Sequence, residues 1–261
     1  MRAMSIGATG MLAQQLNVEV ISNNIANITT SGFKRMRAEF KDLLYENLRR
    51  PGSQSSDTGT VVPTGIQVGN GVLAGAVYRV NLQGTIDRTG NSLDVAVIGK
   101  GFLQIQMPDG TTSYTRDGAL QLDANGQIVT SDGYSLIPSI TVPADTIDIT
   151  INNSGQVFAK IDGQVALSNL GQIQLATFAN PAGLESIGDN LLRETAASGT
   201  ATTGNPTSSG FGKLQQASLE KSNVDIVQEL TNLITAQRAY EMNSRVIKSA
   251  DDMMSSLNQL R

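Results

Sequence analysis

Four aspartates come closest to offering reaction chemistry in this chain: Asp109, Asp117, Asp123 and Asp132. Two carboxylates facing one bond could serve as acid and base on a glycoside. Their contexts point elsewhere. Asp109, Asp117 and Asp132 each directly precede a glycine, where a short acidic side chain accepts from the backbone of a tight turn. Asp123-Ala124-Asn125-Gly126 opens like a calcium loop, but the remaining ligands, the closing Glu among them, are not at the required spacing. Gly99-Lys100-Gly101 lacks the upstream Gly and the following Ser or Thr of a phosphate loop. Asn27-Ile28-Thr29 and Asn152-Asn153-Ser154 fit the glycosylation triplet, a pattern too common to weigh. The chain has no His, no Cys and no Trp, so imidazole, thiol and disulfide chemistry are excluded. The expectation is a protein with no catalytic site, no metal and no cofactor.

With 261 residues the chain is long enough for one large domain or two modest ones. Its net charge of -4 speaks against nucleic acid as a partner, because phosphate neutralisation needs clustered Lys and Arg. The one basic cluster, Lys34, Arg35, Arg37 and Lys41, is interleaved with Glu39 and Asp42 and reads as a solvated face. The opening MRAMSIGATGMLAQQLNVEV is amphipathic, broken by Gln14, Gln15, Asn17 and Glu19, and does not read as a cleaved signal peptide. No stretch reaches the roughly 20 apolar residues of a membrane-spanning helix.

What remains is how the elements are arranged. From Val224 to Leu260 an apolar stripe runs through Ile226, Leu230, Leu233, Ala236, Tyr240, Ile247, Ala250, Met254 and Leu257 in steps of threes and fours or their multiples. No Gly or Pro interrupts it, and Ser222 or Asn223 can cap its start. Met4, Ala8, Met11, Val18 and Ile25 repeat the pattern at the other end of the chain, predicting a helix over Met4–Ile28. Gly7 and Gly10 each weaken that helix by about 1 kcal/mol relative to Ala. The narrow seams read as coiled-coil packing rather than burial in a globular core. On this reading the terminal helices seek each other and the helices of neighbouring copies, and most of their stability comes from that packing.

Between them the pattern changes. Phe40, Leu43, Leu44 and Leu48 permit a short helix within Phe33–Arg50. Pro51–Gly65 is rich in Gly, Ser, Thr and Pro and reads as an extended arm. From Ile66 the period becomes two. Asp109-Gly110, Asp117-Gly118, Asn125-Gly126 and Asp132-Gly133 punctuate alternating runs, the strongest short hairpin signal. Further strands are expected at Ile147–Ile151, Val157–Ile161, Val165–Leu167, Ile173–Phe178 and Leu214–Leu219, with a loop-rich stretch from Pro181 to Gly212. The fold class is α+β: long terminal helices forming a coiled-coil-like pair, with an inserted antiparallel β domain, barrel- or sandwich-like. The domain boundaries follow as 1–34 plus 220–261 for the helices, 35–65 for a connecting segment with the arm, and 66–219 for the β domain.

SNNIANITTSGFKR (22–35) resembles the N-terminal signature of bacterial flagellar axial proteins of the rod and hook, with Ala26, Asn27, Gly32, Phe33 and Lys34 carrying it. Residues 99–136 are similar to the β domain of that family, and 219–260 to its C-terminal helix. Chain length, GLESIGDNLL (183–192) and the arm, with Leu43, Tyr45, Pro51, Gly52, Ser55, Pro63 and Gly65, resemble the distal-rod branch. Proximal rod and hook proteins are the nearest alternatives. The resemblance implies a structural subunit exported unfolded through the flagellar type III apparatus, without a cleaved signal peptide. It implies helical self-assembly into a hollow shaft through the periplasm, the terminal helices forming an inner tube and the β domain an outer wall. Its implied partners are copies of itself, proximal rod proteins, the hook protein, and the peptidoglycan and outer-membrane ring proteins. A secreted glycan-active enzyme is the contrasting class. It would need buried, convergent carboxylates, whereas carboxylates scattered on turns favour the structural reading.

Overall fold

The computed structural model describes residues 2–52, 64–164 and 166–259. Ser55 and Pro63 of the arm, Val165 and the side chain of Leu257 lie outside these residues. The chain divides into two compact units, the first comprising Met1–Ile25, Met36–Tyr78 and Ile226–Arg261 and the second Ala26–Arg35 and Arg79–Asp225.

The first unit is built on the two expected helices, α1 (Arg2–Ala26) and α2 (Ile226–Gln259). Between them in sequence lie β1 (Met36–Asp42), β2 (Tyr45–Arg49), β3 (Ile66–Gly69) and β4 (Val72–Arg79). The short helix allowed over Phe33–Arg50 is therefore wrong, and the segment is two strands. Helical spacing of Phe40, Leu43, Leu44 and Leu48 is a local signal. It loses to backbone pairing with partners far along the chain: β1 joins β4, and β2 joins β3 with Tyr45 opposite Gly69.

The helices run antiparallel. Going up α1, Gly7 meets Ile247 and Gly10 meets Asn243, while Asn24 reaches Glu229 near the start of α2. Apart from Val20 and Ile21 on α1, the residues that bury themselves are small or polar: Gly7, Ala13 and Asn24 on α1, and Glu229, Ala236 and Ala250 on α2. Glu229, Ala236, Asn243 and Ala250 recur every seventh residue, the repeat of a close helix seam. The two glycines weaken α1 in isolation but permit this approach. A methyl group on Gly10 would fall 2.7 Å from Asn243 Nδ2, and one on Gly7 would fall 2.8 Å from Ile247 Cγ1. Gly10→Leu is therefore expected to wedge the helices apart at a cost of about 1–3 kcal/mol. Circular dichroism melts would show it as an early loss of helix with the β signal retained.

The second unit carries β5 (Ile86–Arg88), β6 (Val95–Ile98), β7 (Phe102–Gln106), β8 (Thr112–Thr115), β9 (Leu120–Leu122), β10 (Ile128–Thr130), β11 (Ser135–Ile137), β12 (Thr146–Ile151), β13 (Gln156–Ile161), β14 (Ser168–Gln172), β15 (Leu175–Thr177), β16 (Glu185–Gly188), β17 (Leu191–Arg193), β18 (Thr202–Gly204), β19 (Lys213–Gln216) and β20 (Ser218–Glu220). Its main sheet is a half-barrel ordered β16-β17-β8-β7-β11-β10-β9, to which β15 and β18 attach through β7. β12, β13 and β14 form a second antiparallel sheet. The Asx-Gly dipeptides at 109–110, 125–126 and 132–133 mark the β7–β8, β9–β10 and β10–β11 connections, as the alternation predicts. One expectation fails: the strand placed at Val165–Leu167 begins instead at Ser168, with Val165 outside the described residues. The loop-rich Pro181–Gly212 region also holds β16, β17 and β18. These are three- and four-residue strands, too short to show alternation, and they are fixed by non-local partners: β17 by β8, and β18 by β15.

β7 separates two cores. Leu103 and Ile105 enter the large aliphatic cluster with Leu120, Leu136 and Leu175, while Phe102 joins Tyr114 and Phe178 in an edge-to-face aromatic group on the other side. Full burial of each such side chain contributes about 1.5–3 kcal/mol. On β19, Gln216 lays its carboxamide along the margin of β12. It accepts from the Ile151 N–H at 2.9 Å and donates to the Ile149 carbonyl at 2.6 Å and the Ser92 carbonyl at 2.8 Å.

Candidate assembly interface

The large apolar side chains of the helices are largely excluded from the contact between them. Val227 is 70% exposed, Leu12 66% and Ile234 51%, and Met242, Val246 and Met253 are exposed as well. Of the seam residues singled out by periodicity, Met4, Ala8, Met11, Val18 and Ile25 are half-buried, as are Leu233, Ile247 and Met254. Ile226, Leu230 and Tyr240 are exposed. An open groove runs along the pair between Val18 and Glu19 on one side and Gln237, Tyr240 and Glu241 on the other. Periodicity thus finds the apolar faces but misses the residues that join the helices. The seventh-residue recurrence of Ala236, Asn243 and Ala250 was the signal available for those.

The base of the arm is a two-stranded ribbon of β2 and β3, and every residue of β2 is exposed. Leu43 anchors it, half-buried, with its N–H donating to Gly71 O at 2.9 Å. Tyr45 stands over Gly69, while Pro51 and Gly65 close together next to Arg49. Leu44, Tyr45, Leu48 and Ile66 turn their apolar surface to solvent.

The signature residues serve another purpose, within the second unit. Gly32 adopts φ +69°, a left-handed conformation that glycine takes without steric cost, and its N–H donates to Glu220 O at 2.7 Å. Lys34 is buried; its Nζ lies 2.5 Å from Glu220 Oε1 and donates to Leu82 O at 2.8 Å. Arg116 approaches the other carboxylate oxygen at 3.1 Å, and the Gly84 N–H donates to Glu220 at 2.9 Å. Burial holds the Lys34 ammonium below the ordinary lysine range, although the Glu220 bond and charge pull it back up. Burial lowers Arg116 too, again against Glu220, and its guanidinium stacks 5.4 Å from the Phe102 ring centre. Asn223 completes the junction. It accepts from the Arg35 N–H at 2.7 Å and donates to Val80 O at 2.9 Å and Leu82 O at 3.0 Å. It is therefore not the cap of α2; Asp225 stands immediately before the first helical residue instead. Arg116 and Glu220 stand 104 positions apart, so sequence spacing did not single out this ionic junction.

Three of the four aspartates act as turn acceptors. Asp109 takes the Thr111 N–H at 2.9 Å, Asp123 those of Asn125 and Gln127 at 2.8 Å each, and Asp117 that of Ala119 at 3.1 Å. Hydrogen bonds from Thr111 and Gln127 hold Asp109 and Asp123 below the usual carboxylate range, whereas burial raises Asp117. Among the described residues no group of three His, Cys, Asp or Glu is placed to hold a metal. Among the described residues no helix is long and apolar enough to cross a membrane.

Three family models match the chain: "Flagella basal body rod protein" over residues 4–34, "Flagellar hook protein FlgE/F/G D1 domain" over 96–159 and "Flagellar basal body rod FlgEFG protein C-terminal" over 215–260. The flagellar basal-body rod protein FlgG of Caulobacter vibrioides is 59% identical over 261 residues, covering 100% of both chains. That of Agrobacterium fabrum is 52% identical over 99% of both, and that of Bacillus subtilis 36% identical over 100% of this chain and 99% of its own. The chain belongs to the family of flagellar basal-body rod proteins. This agrees with the resemblance carried by Ala26, Asn27, Gly32, Phe33 and Lys34, and the family is one of structural rod and hook proteins. The first matched segment spans α1 and the Gly32–Lys34 turn. The second begins at β6 and ends within β13, and the third joins β19, β20 and α2.

Proposed function

We propose that this chain is a subunit of the distal rod of the bacterial flagellum, polymerising helically into a stiff hollow shaft. The shaft transmits torque to the hook and encloses the export channel. The terminal helices, 1–34 with 220–261, line the inner tube, and 66–219 forms the outer wall. The arm between Leu43 and Gly65 locks neighbouring copies. Proximal rod proteins and the hook protein bind its two ends; the peptidoglycan and outer-membrane ring proteins surround it as it crosses the periplasm. The chain reaches the growing tip through the flagellar type III export apparatus and has no catalytic role.

One observation carries this reading. The helices meet largely through glycine, alanine and polar side chains, together with Ile247, and leave Val227, Leu12, Ile234 and Met242 to solvent. Contiguous apolar surface on a soluble chain marks a site for association. Helices of a second copy fit it, since the exposed residues recur at helical spacing along a 34-residue element. Purified chain, concentrated and examined by electron microscopy and sedimentation, is expected to form straight tubes with a central channel. A protein that stays monomeric at all concentrations, and fails to extend a rod on isolated basal bodies, would refute the reading.

A further inference from the structure

Asn24 is 1% exposed and sits two residues before the end of α1. Its carboxamide faces the first residue of β1: Nδ2 donates to Met36 O at 2.8 Å, and the Met36 N–H donates to Oδ1 at 2.8 Å. The side chain thus imitates one rung of a sheet. The same Nδ2 donates to Glu229 Oε2 at 3.3 Å, and Glu229, in the first turn of α2, is also 1% exposed. Three elements separated by 12 and 205 positions along the chain meet at one amide. The buried carboxylate and the buried amide each satisfy part of the other's hydrogen bonding, so removing one costs the other a partner away from water.

We infer that Asn24 is a latch that makes the ordering of β1, and so of the β1/β4 ribbon, conditional on the pairing of α1 with α2. Asn24 is a positioning residue. It transmits the state of the helix seam to the strand from which the arm departs. The geometry requires an amide at this position. Asp could accept from Met36 N–H but could not donate to Met36 O, and it would set a second carboxylate against Glu229.

Hydrogen exchange on the full-length soluble chain tests the latch independently of rod assembly. β7 amides, in the other unit, provide the unchanged reference. Asn24→Ala and Glu229→Ala are both expected to speed exchange over 36–42 by about tenfold or more. The second result is the diagnostic one, because Glu229 belongs to α2. In Asn24→Asp the double change with Glu229→Gln restores a donor to the helix seam but not the donor to Met36 O. Helix protection is then expected to recover while β1 stays fast. Equal exchange over 36–42 in the wild type and Asn24→Ala would overturn the latch, as would a Glu229→Ala effect confined to the helices.

Discussion

Glu220→Ala is expected to cost the second unit about 3–5 kcal/mol, because it leaves the Lys34 ammonium and the Arg116 guanidinium buried without their shared counter-ion. The Glu220 side chain is 0% exposed and takes bonds from three donors, so water does not compensate the loss in the folded chain. Glu220→Gln keeps an acceptor for the Gly84 N–H but removes the charge, and should fall between the variant and the wild type. Urea unfolding followed by near-ultraviolet signals of Tyr114 and Phe102 reads both. A midpoint for Glu220→Ala within error of the wild type would show that the junction contributes nothing. The position matters beyond its energy. Gly32 and Lys34 lie where the chain enters this unit and Glu220 where it leaves, so the ion cluster ties its two ends together.

Ile234→Asp separates assembly from folding. The side chain is 51% exposed, so the soluble chain should unfold within about 0.5 kcal/mol of the wild type. In a tube the same position would bury an unpaired carboxylate, which costs roughly 2 kcal/mol or more. Each 1.4 kcal/mol is about tenfold in the concentration required for addition, so tube formation should need on the order of thirtyfold more protein or cease. Pelleting and microscopy measure it. Tubes from Ile234→Asp at the wild-type concentration would remove this face from the interface. Ile247→Asp makes an informative contrast, since Ile247 is half-buried against Gly7 and its loss should loosen the helix pair as well.

The parts of the fold legible in the sequence were those with local causes. Periodicity placed α1 at Met4–Ile28 and α2 at Val224–Leu260, close to Arg2–Ala26 and Ile226–Gln259. Asx-Gly turns located the hairpins because a residue with φ > 0 is a local demand. β1, β2, β16, β17 and β18 were missed for the opposite reason. Their strand character comes from partners distant in the chain, and for Phe40, Leu43 and Leu44 the local signal pointed to helix. The helix contact was half legible. Apolar stripes show which residues shun water, but Gly7 and Gly10 matter for the atoms they lack, and such a residue reads in sequence as a weakness. The polar pairs Asn24–Glu229 and Lys34–Glu220 join positions 205 and 186 apart, and spacing alone carries no trace of them.

The carboxamide of Gln216 along β12 has a consequence for how the molecule behaves in a crowd. An open strand margin is a template on which any stray chain can lay down another strand, and proteins at high local concentration are most at risk. Here the Ile151 N–H and Ile149 carbonyl are already occupied by a side chain of the same molecule. That end of the sheet's flank is less open to fibrous accretion, even in a subunit whose helices are left open to company.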